Sequence, residues 1–219
     1  MELEVMKSYL PLYRDALLLT MKIGWQGVAL ALLTGLLCAV VLQMKIPVLQ
    51  RIVRIYIELF RNTPLLVQLF FLYFALPKIG ILLSPELCGS LGLGLLGGAY
   101  MTETIRSGLD NIPVIQSESA ASLGMNRIQA FRHVILPQAV ASSVPGLIAN
   151  VIFLLKETSV FSTISLMDLM FTAKDLIGMY AKTMECLTLL VIFYLIMLLP
   201  VSFLGSIVER RLRYAEFGD

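Results

Sequence analysis

This sequence is short of charge. Asp, Glu, Lys and Arg make up 15% of 219 residues, where a soluble domain carries about 25%, so a water-exposed globule is excluded. Histidine occurs once, at His133, and the three cysteines, Cys38, Cys88 and Cys186, stand far apart with no CxxC pair. No zinc set can be assembled from these, no metal site is expected, and the cysteines read as small apolar residues. There is no G-x-x-x-x-G-K-[ST] phosphate loop, so the chain is not expected to be an ATPase or to hold a cofactor of its own. Neither a Ser–base pair nor paired aspartates are evident, which argues against an intramembrane enzyme. The opening MELEVMKSYLPLYRD lacks the basic head, apolar middle and small-residue exit of a cleaved signal peptide. A formal net charge of +2 calls for no nucleic-acid partner.

Apolar sequence is what the chain has in excess. Hydrophobic residues reach 58% and the mean hydropathy is +0.85. A helical span takes about 20 mostly apolar residues, and lipid requires every backbone group to be satisfied internally. The apolar runs are continuous rather than alternating, which disfavours a β-barrel. The expected fold is an all-α membrane protein with five transmembrane helices forming a single domain. The spans are about 16–44, 52–76, 87–109, 139–155 and 187–208. The first is interrupted by Lys22 and Gln26. Pro64 is expected to kink or break the second, and Pro200 to kink the fifth. The third carries GSLGLGLLGGAY, whose small residues place it inside a helical bundle. Two long connections remain: the opening stretch, and 156–185, which is semi-apolar with short helical patches.

Orientation follows the basic residues near the span ends. Lys45, Arg51 and Arg54 precede the second span, Arg127 and Arg132 lie between the third and fourth, and Arg210, Arg211 and Arg213 follow the fifth. An odd number of spans puts all three groups on one side, read as cytosolic. The N-terminus is then outside and the C-terminus inside.

The insert between spans three and four, about 113–136, is polar and helix-forming. Ser117 is expected as N-cap, with Glu118 in the first turn where the helix dipole favours an anion. Ala120, Leu123, Gly124, Ile128, Phe131 and Ile135 recur at spacings of three and four and predict one apolar face. Gly124 lowers helix propensity and allows a bend. Pro137 is expected to end the insert and start the next span. Periodicity leaves two readings open, a helix on the membrane surface or one docked in a protein groove. His133 reads as a surface or docking residue.

The spacing of Glu118-Ser119-Ala120, Gly124, Val134 and Leu136-Pro137 resembles the EAA signature of permease subunits of bacterial ATP-binding-cassette importers: Glu-Ala-Ala, three residues, Gly, nine residues, Ile, any residue, Leu-Pro. Ser119 stands for Ala and Val134 for Ile. ELFRNTPLLVQLF (58–70), AYMTETIRSGL (99–109), LLKETSVFSTI (154–164) and VERRLR (208–213) resemble the polar amino acid branch of that family, with Asn62 where many members have Gly. The resemblance runs from about residue 15 to 213. It implies a type I importer permease in the bacterial cytoplasmic membrane, working as a dimer with a second copy or a sister permease. Two cytosolic ATPase subunits, which would hold ATP and Mg, would grip the insert through Glu118, Ser119, Ala120, Gly124, Arg127, Phe131, Leu136 and Pro137. An extracytoplasmic binding protein would deliver an amino acid. The competing reading is an ion-coupled secondary amino acid carrier, which predicts inverted repeats and a midspan acid; neither is clear in the sequence.

Ionisable residues within spans are costly and face a bundle interior or a cavity. Glu58 and Arg61 stand three apart, and Glu103 and Arg106 repeat that spacing. They read either as local ion pairs or as a cross-helix gate network. Lys156 and Glu157 match the family's LK[DE]TS run and read as an outer gate or as charges snorkelling to water. Asn150 either bonds across helices or lines a midplane substrate pocket, with Gly97 and Gly98 leaving the facing space and Gln68 and Tyr100 as further candidates. With no lone acid in the middle of a span, a neutral or acidic amino acid is favoured over a cationic one.

Overall fold

A computed structural model of the chain describes residues 2–44 and 46–217, with side chains as far as Leu212. Two cations used above for orientation, Lys45 and the side chain of Arg213, lie outside the described residues. Among the described residues there are helices and turns and no strand.

Helix α1, Leu3–Gln43, runs 41 residues. The opening stretch is therefore helix rather than a connection, and it continues through Pro11. Its reason is packing: Met6, Tyr9 and Tyr13 are buried against Leu169, Cys186 and Phe193, and the Tyr13 hydroxyl donates to the Cys186 carbonyl at 2.7 Å.

The second apolar segment is not one rod. Helix α2, Pro47–Arg61, stops at Asn62, and helix α3, Leu65–Phe70, leads through a wide turn at Phe71–Ala75 and a tight one at Leu76–Ile79. The two halves are bent by 103°. Pro64, the N-cap of α3, sits in the break in an extended conformation. The carbonyls that α2 leaves orphaned at its end are taken up locally. Asn62 Nδ2 donates to Glu58 O at 2.7 Å. The Thr63 hydroxyl donates to Leu59 O at 2.7 Å. Gln68 Nε2 reaches back across the break to Phe60 O at 3.1 Å and Thr63 O at 3.0 Å.

Helix α4, Pro85–Asp110, starts with Ser84 accepting from the Leu87 N–H. It is the centre of the bundle, touching α1, α2, α3 and the fourth apolar segment. Gly97 makes that approach possible. A Cβ there would overlap Leu154 and lie 2.7 Å from the Cβ of Ala31.

Beyond the insert, a short helix at Arg127–Ala130, a wide turn at Phe131–Ile135, helix α7 at Leu136–Glu157 and a tight turn at Thr158–Ile164 join end to end. They form one helical run of 38 residues. Pro137 does not interrupt it. A proline has no N–H to donate and its ring crowds the carbonyl four residues back. Here the turn is widened instead, the Leu136 N–H donating to Phe131 O. The same device precedes Pro77, where the Leu76 N–H donates to Phe71 O. Helix α8, Leu169–Tyr180, packs against α1 and the last helix. Helix α9, Thr183–Phe217, continues through Pro200.

Three of these helical segments are long and apolar enough to cross a membrane, or up to four if the bent α2–α3 pair counts as one. The glycines and charged end of α4 keep it outside that set, although it is the most enclosed. Cys88 and Cys186 are buried as small apolar residues, and Cys38 is half-buried.

Asp168 caps α8. Its carboxylate accepts from the N–H groups of Phe171 at 3.0 Å and Met170 at 3.2 Å. It is fully buried and lies beyond the segments apolar enough to cross a membrane. Burial raises its pKa to about 6, outweighing the backbone bonds that lower it. The folded chain thus binds this proton more tightly than the unfolded one. Its contribution to stability is greatest below about pH 4 and is lost as pH rises to about 6.

Two outcomes follow for melting experiments in detergent. Asp168→Asn keeps an accepting oxygen but cannot ionise, so the fall in Tm between about pH 4 and 6 disappears; an unchanged pH slope contradicts this. Gly97→Ala overpacks the contact with Ala31 and Leu154 and destabilises by roughly 1–3 kcal/mol, whereas an unaltered Tm means that the contact is loose.

Candidate functional site

Two regions of this chain bring together polar residues singled out by the sequence: the insert, and a cleft at the α2–α3 break. In the insert, helix α5 spans Val114–Ser122 with Pro113 as N-cap. Ser117 is inside the helix, its hydroxyl donating to Val114 O at 2.8 Å, and Glu118 is one residue further on. Both differ from the expected Ser117 cap. Pro113 supplies an extended residue with φ −61°, which starts the helix a turn earlier. Gly124, at φ 81°, closes α5 in the left-handed region. The Met125 N–H donates to Ala120 O at 3.1 Å and the Gly124 N–H to Ala121 O at 2.9 Å, the paired bonds of a Schellman motif. Asn126 then caps the short helix α6, Arg127–Ala130, in a reciprocal box with Gln129. The expected bend at Gly124 is a full helix end.

The insert's apolar residues do not share one face. Ala120 and Ala130 are buried. Leu123 is 80% and Ile128 78% exposed, and Val114, Ile115 and Phe131 are exposed as well. Glu118, Ser119, Arg127, Leu136, Pro137 and His133 are also at the surface. Among the described residues the Glu118 carboxylate has no partner. Small residues fold the insert on itself and large ones are left outside, at the start of the 38-residue run.

The cleft lies at the break between α2 and α3. It is about 390 Å³, lined by Arg61, Pro64, Leu96, Tyr100, Phe153 and Glu157 among others. The Arg61 guanidinium stands over the Tyr100 ring, 5.3 Å from its centroid, and 3.6 Å from Glu103 Oε2. Arg106 approaches the same oxygen at 2.9 Å and Asp110 at 3.4 Å. Tyr100 and Phe153 pack edge to face with centroids 5.4 Å apart.

The expected pairing is thus half corrected. Glu103–Arg106 is a local pair, but Arg61 reaches across to Glu103, and Glu58 instead accepts from Asn62 Nδ2 at 3.0 Å. The three-residue spacing puts Glu58 and Arg61 on one helix side, yet the Arg61 side chain turns toward the bundle, where an acid and an aromatic face are within reach. Lys156 is exposed while Glu157, next in sequence, turns into the cleft.

Asn150 donates to Thr104 Oγ1 at 2.9 Å, a cross-helix bond, and is not among the cleft's lining residues. The space expected opposite Gly97 and Gly98 is filled. A Cβ on Gly98 would overlap Thr34 Oγ1 and lie 2.7 Å from the Tyr56 hydroxyl. Gln68 braces the α2 end and faces a separate apolar groove with Leu59, Phe60 and Leu95. Phe153 and the 62–66 break were not anticipated as site residues. Phe153 stands four before Glu157 and seven before Val160, the one-face spacing that marks it.

This architecture is that of a helical protein with several apolar spans. A family model described as "Binding-protein-dependent transport system inner membrane component" matches residues 31–214. The chain is 34% identical over 214 residues to a probable amino-acid permease protein, YxeN, of Bacillus subtilis (strain 168), covering 94% of each chain. It is 32% identical over 210 residues to a probable glutamine ABC transporter permease protein, GlnP, of the same organism, covering 96% of each. A solved amino acid ABC transporter with histidines superposes with a TM-score of 0.90 at 33% identity, over 96% of this chain and 99% of that one. A solved MetNI methionine ABC transporter, 18% identical with a TM-score of 0.76, shares the fold. The chain belongs to the family of inner membrane components of binding-protein-dependent transport systems. It is a multi-pass inner membrane transport subunit, and the ion-coupled alternative finds no support.

The Asn150–Thr104 bond is testable by a double-mutant cycle. Asn150→Ala and Thr104→Val should be non-additive in thermal stability, with a coupling of roughly 0.6 kcal/mol, typical of bonds between membrane helices. Strict additivity would remove the bond.

Proposed function

We propose that the chain is the permease subunit of an ATP-driven amino acid importer, with its insert as the handle for a cytosolic ATPase pair and the cleft at the α2–α3 break as the substrate passage. It crosses the membrane five times, counting α4 and the bent α2–α3 pair, with the N-terminus outside and the C-terminus in the cytosol. It works beside a second permease chain and receives substrate from an extracytoplasmic binding protein. ATP and Mg are held by the ATPase, and this chain contributes no hydrolysis.

The observation that supports the reading is the unbroken run Arg127–Ile164. One end carries the exposed Ile128 and adjoins Leu123; toward the other, Glu157 lines the cleft. A push on the insert reaches the cleft wall along this continuous helical run, in which the wide turn at Phe131–Ile135 passes Pro137 and Pro145 lies within α7.

The cleft's chemistry suits an amino acid. Arg61 offers a guanidinium to a carboxylate and Glu157 a carboxylate to an ammonium group, with the Tyr100–Phe153 pair between for the side chain. Glu103 is occupied by Arg61 and Arg106. No second free acid lines the cleft for a cationic side chain, which favours neutral or acidic substrates.

Leu123→Glu combined with Ile128→Glu leaves the spans intact and should abolish co-purification of the ATPase, lowering uptake to background. Full ATPase recovery with this variant would refute the handle. In the parent transporter, with its ATPase and binding protein, a screen of amino acids for stimulation of ATP hydrolysis identifies the substrate, and no response to any amino acid would refute that part.

A further inference from the structure

The exposed side of α2 divides into two stripes of opposite character. Val53 and Ile57 are buried against the bundle. Arg51, Arg54 and Glu58, at spacings of three and four, form a polar stripe. Val48, Ile52, Ile55 and Leu59, at spacings of four, three and four, form a second stripe beside it, entirely apolar and exposed. Between the stripes runs an open groove of about 520 Å³, lined by Arg51, Arg54, Ile55, Glu58 and Leu59 among others.

Glu58 is engaged by Asn62, and among the described residues neither Arg51 nor Arg54 has an ion-pair partner. The end of α1 that leads into α2 also exposes Leu36, Leu37 and Val40. The α2 stripe contains no Gly, Ala or Ser, the residues that let membrane helices approach one another. Branched side chains beside unpaired cations suit acyl chains under an anionic headgroup better than a second helix.

We propose that this groove holds one anionic phospholipid of the inner leaflet, its phosphate between Arg51 and Arg54 and an acyl chain along Val48, Ile52, Ile55 and Leu59. The lipid fixes the base of α2, the segment that ends at the 103° break. The site requires membrane embedding but not amino acid transport, so its test does not depend on uptake.

The test uses the full chain, with the subunits that co-purify, in nanodiscs of phosphatidylcholine with or without phosphatidylglycerol, and native mass spectrometry as the readout. The parent chain should retain phosphatidylglycerol preferentially. Arg51→Gln with Arg54→Gln should lower that preference roughly 30-fold, from the usual contribution of two basic residues at an anionic surface. Arg51→Lys with Arg54→Lys keeps the charge and should keep the preference, which separates loss of the site from loss of the fold. Equal retention by the parent and the Gln variant overturns the proposal. Displacement of phosphatidylglycerol by inorganic phosphate alone also overturns it, because the site would then be one for a free anion. Loss of a protein subunit with the Gln variant and no change in lipid overturns it in favour of a protein interface.

Discussion

A backbone N–H or C=O inside a bilayer has no water to turn to, and the α2–α3 break and the two widened turns of this chain answer that constraint. At the α2–α3 break the carbonyls of Glu58, Leu59 and Phe60 are taken by Asn62, Thr63 and Gln68. Before Pro77 and Pro137 the helix widens by one residue so that the donor-less proline can be passed. A helix end with freely mobile carbonyls appears at neither place. Irregular backbone is tolerated in membrane proteins where it is buried in protein or lines a cavity, and the one sharp break opens on the cleft.

That economy of breaks sets how motion is carried. The chain is packed around α4, where a missing Cβ at Gly97 and Gly98 brings α1, α2 and α7 into contact. Interdigitated helices of this kind shift as bodies rather than deform. The run from Arg127 to Ile164 packs in this way, with exposed apolar residues at one end and a cleft residue toward the other. The α2–α3 segment is the opposite, two short pieces at 103° held by side-chain bonds that can be remade. A cleft with one rigid wall and one hinged wall can open and close without either wall unfolding.

Much of this was legible in the sequence, for physical reasons. The glycine run of α4 announced close packing, and Pro64 announced a break. The polar run before Leu136-Pro137 announced one or two short helices between α4 and α7, and α5 and α6 are those helices. What was not legible depended on side-chain reach. Arg61 and Glu58 share a helix side, but only the fold brings Glu103 and the Tyr100 ring under the Arg61 guanidinium. Gly97 and Gly98 read equally as a space or as a contact, and Leu154, Ala31 and Thr34 decide for contact. Ser117 looked like a cap because serine usually is one, but Pro113 had already started the helix. Pro137 does stand in the first turn of α7, as its residue type suggested, but the wide turn that joins α7 to the insert without a gap has no composition of its own. The opening stretch read as a connection because its acids mask Met6, Tyr9 and Tyr13, whose burial against α8 and α9 makes it helix.

The central claim is that the insert and one cleft wall move as a single rod while the facing wall hinges. Spin labels report it directly in the complete transporter, one pair at Arg132 and Thr163, about 46 Å apart at the helical rise, and another across the cleft at Asn62 and Lys156. Between the ATP-bound and nucleotide-free states, the first distance should stay fixed and the second should change. A first distance that shifts or broadens, with the second unchanged, would contradict the account.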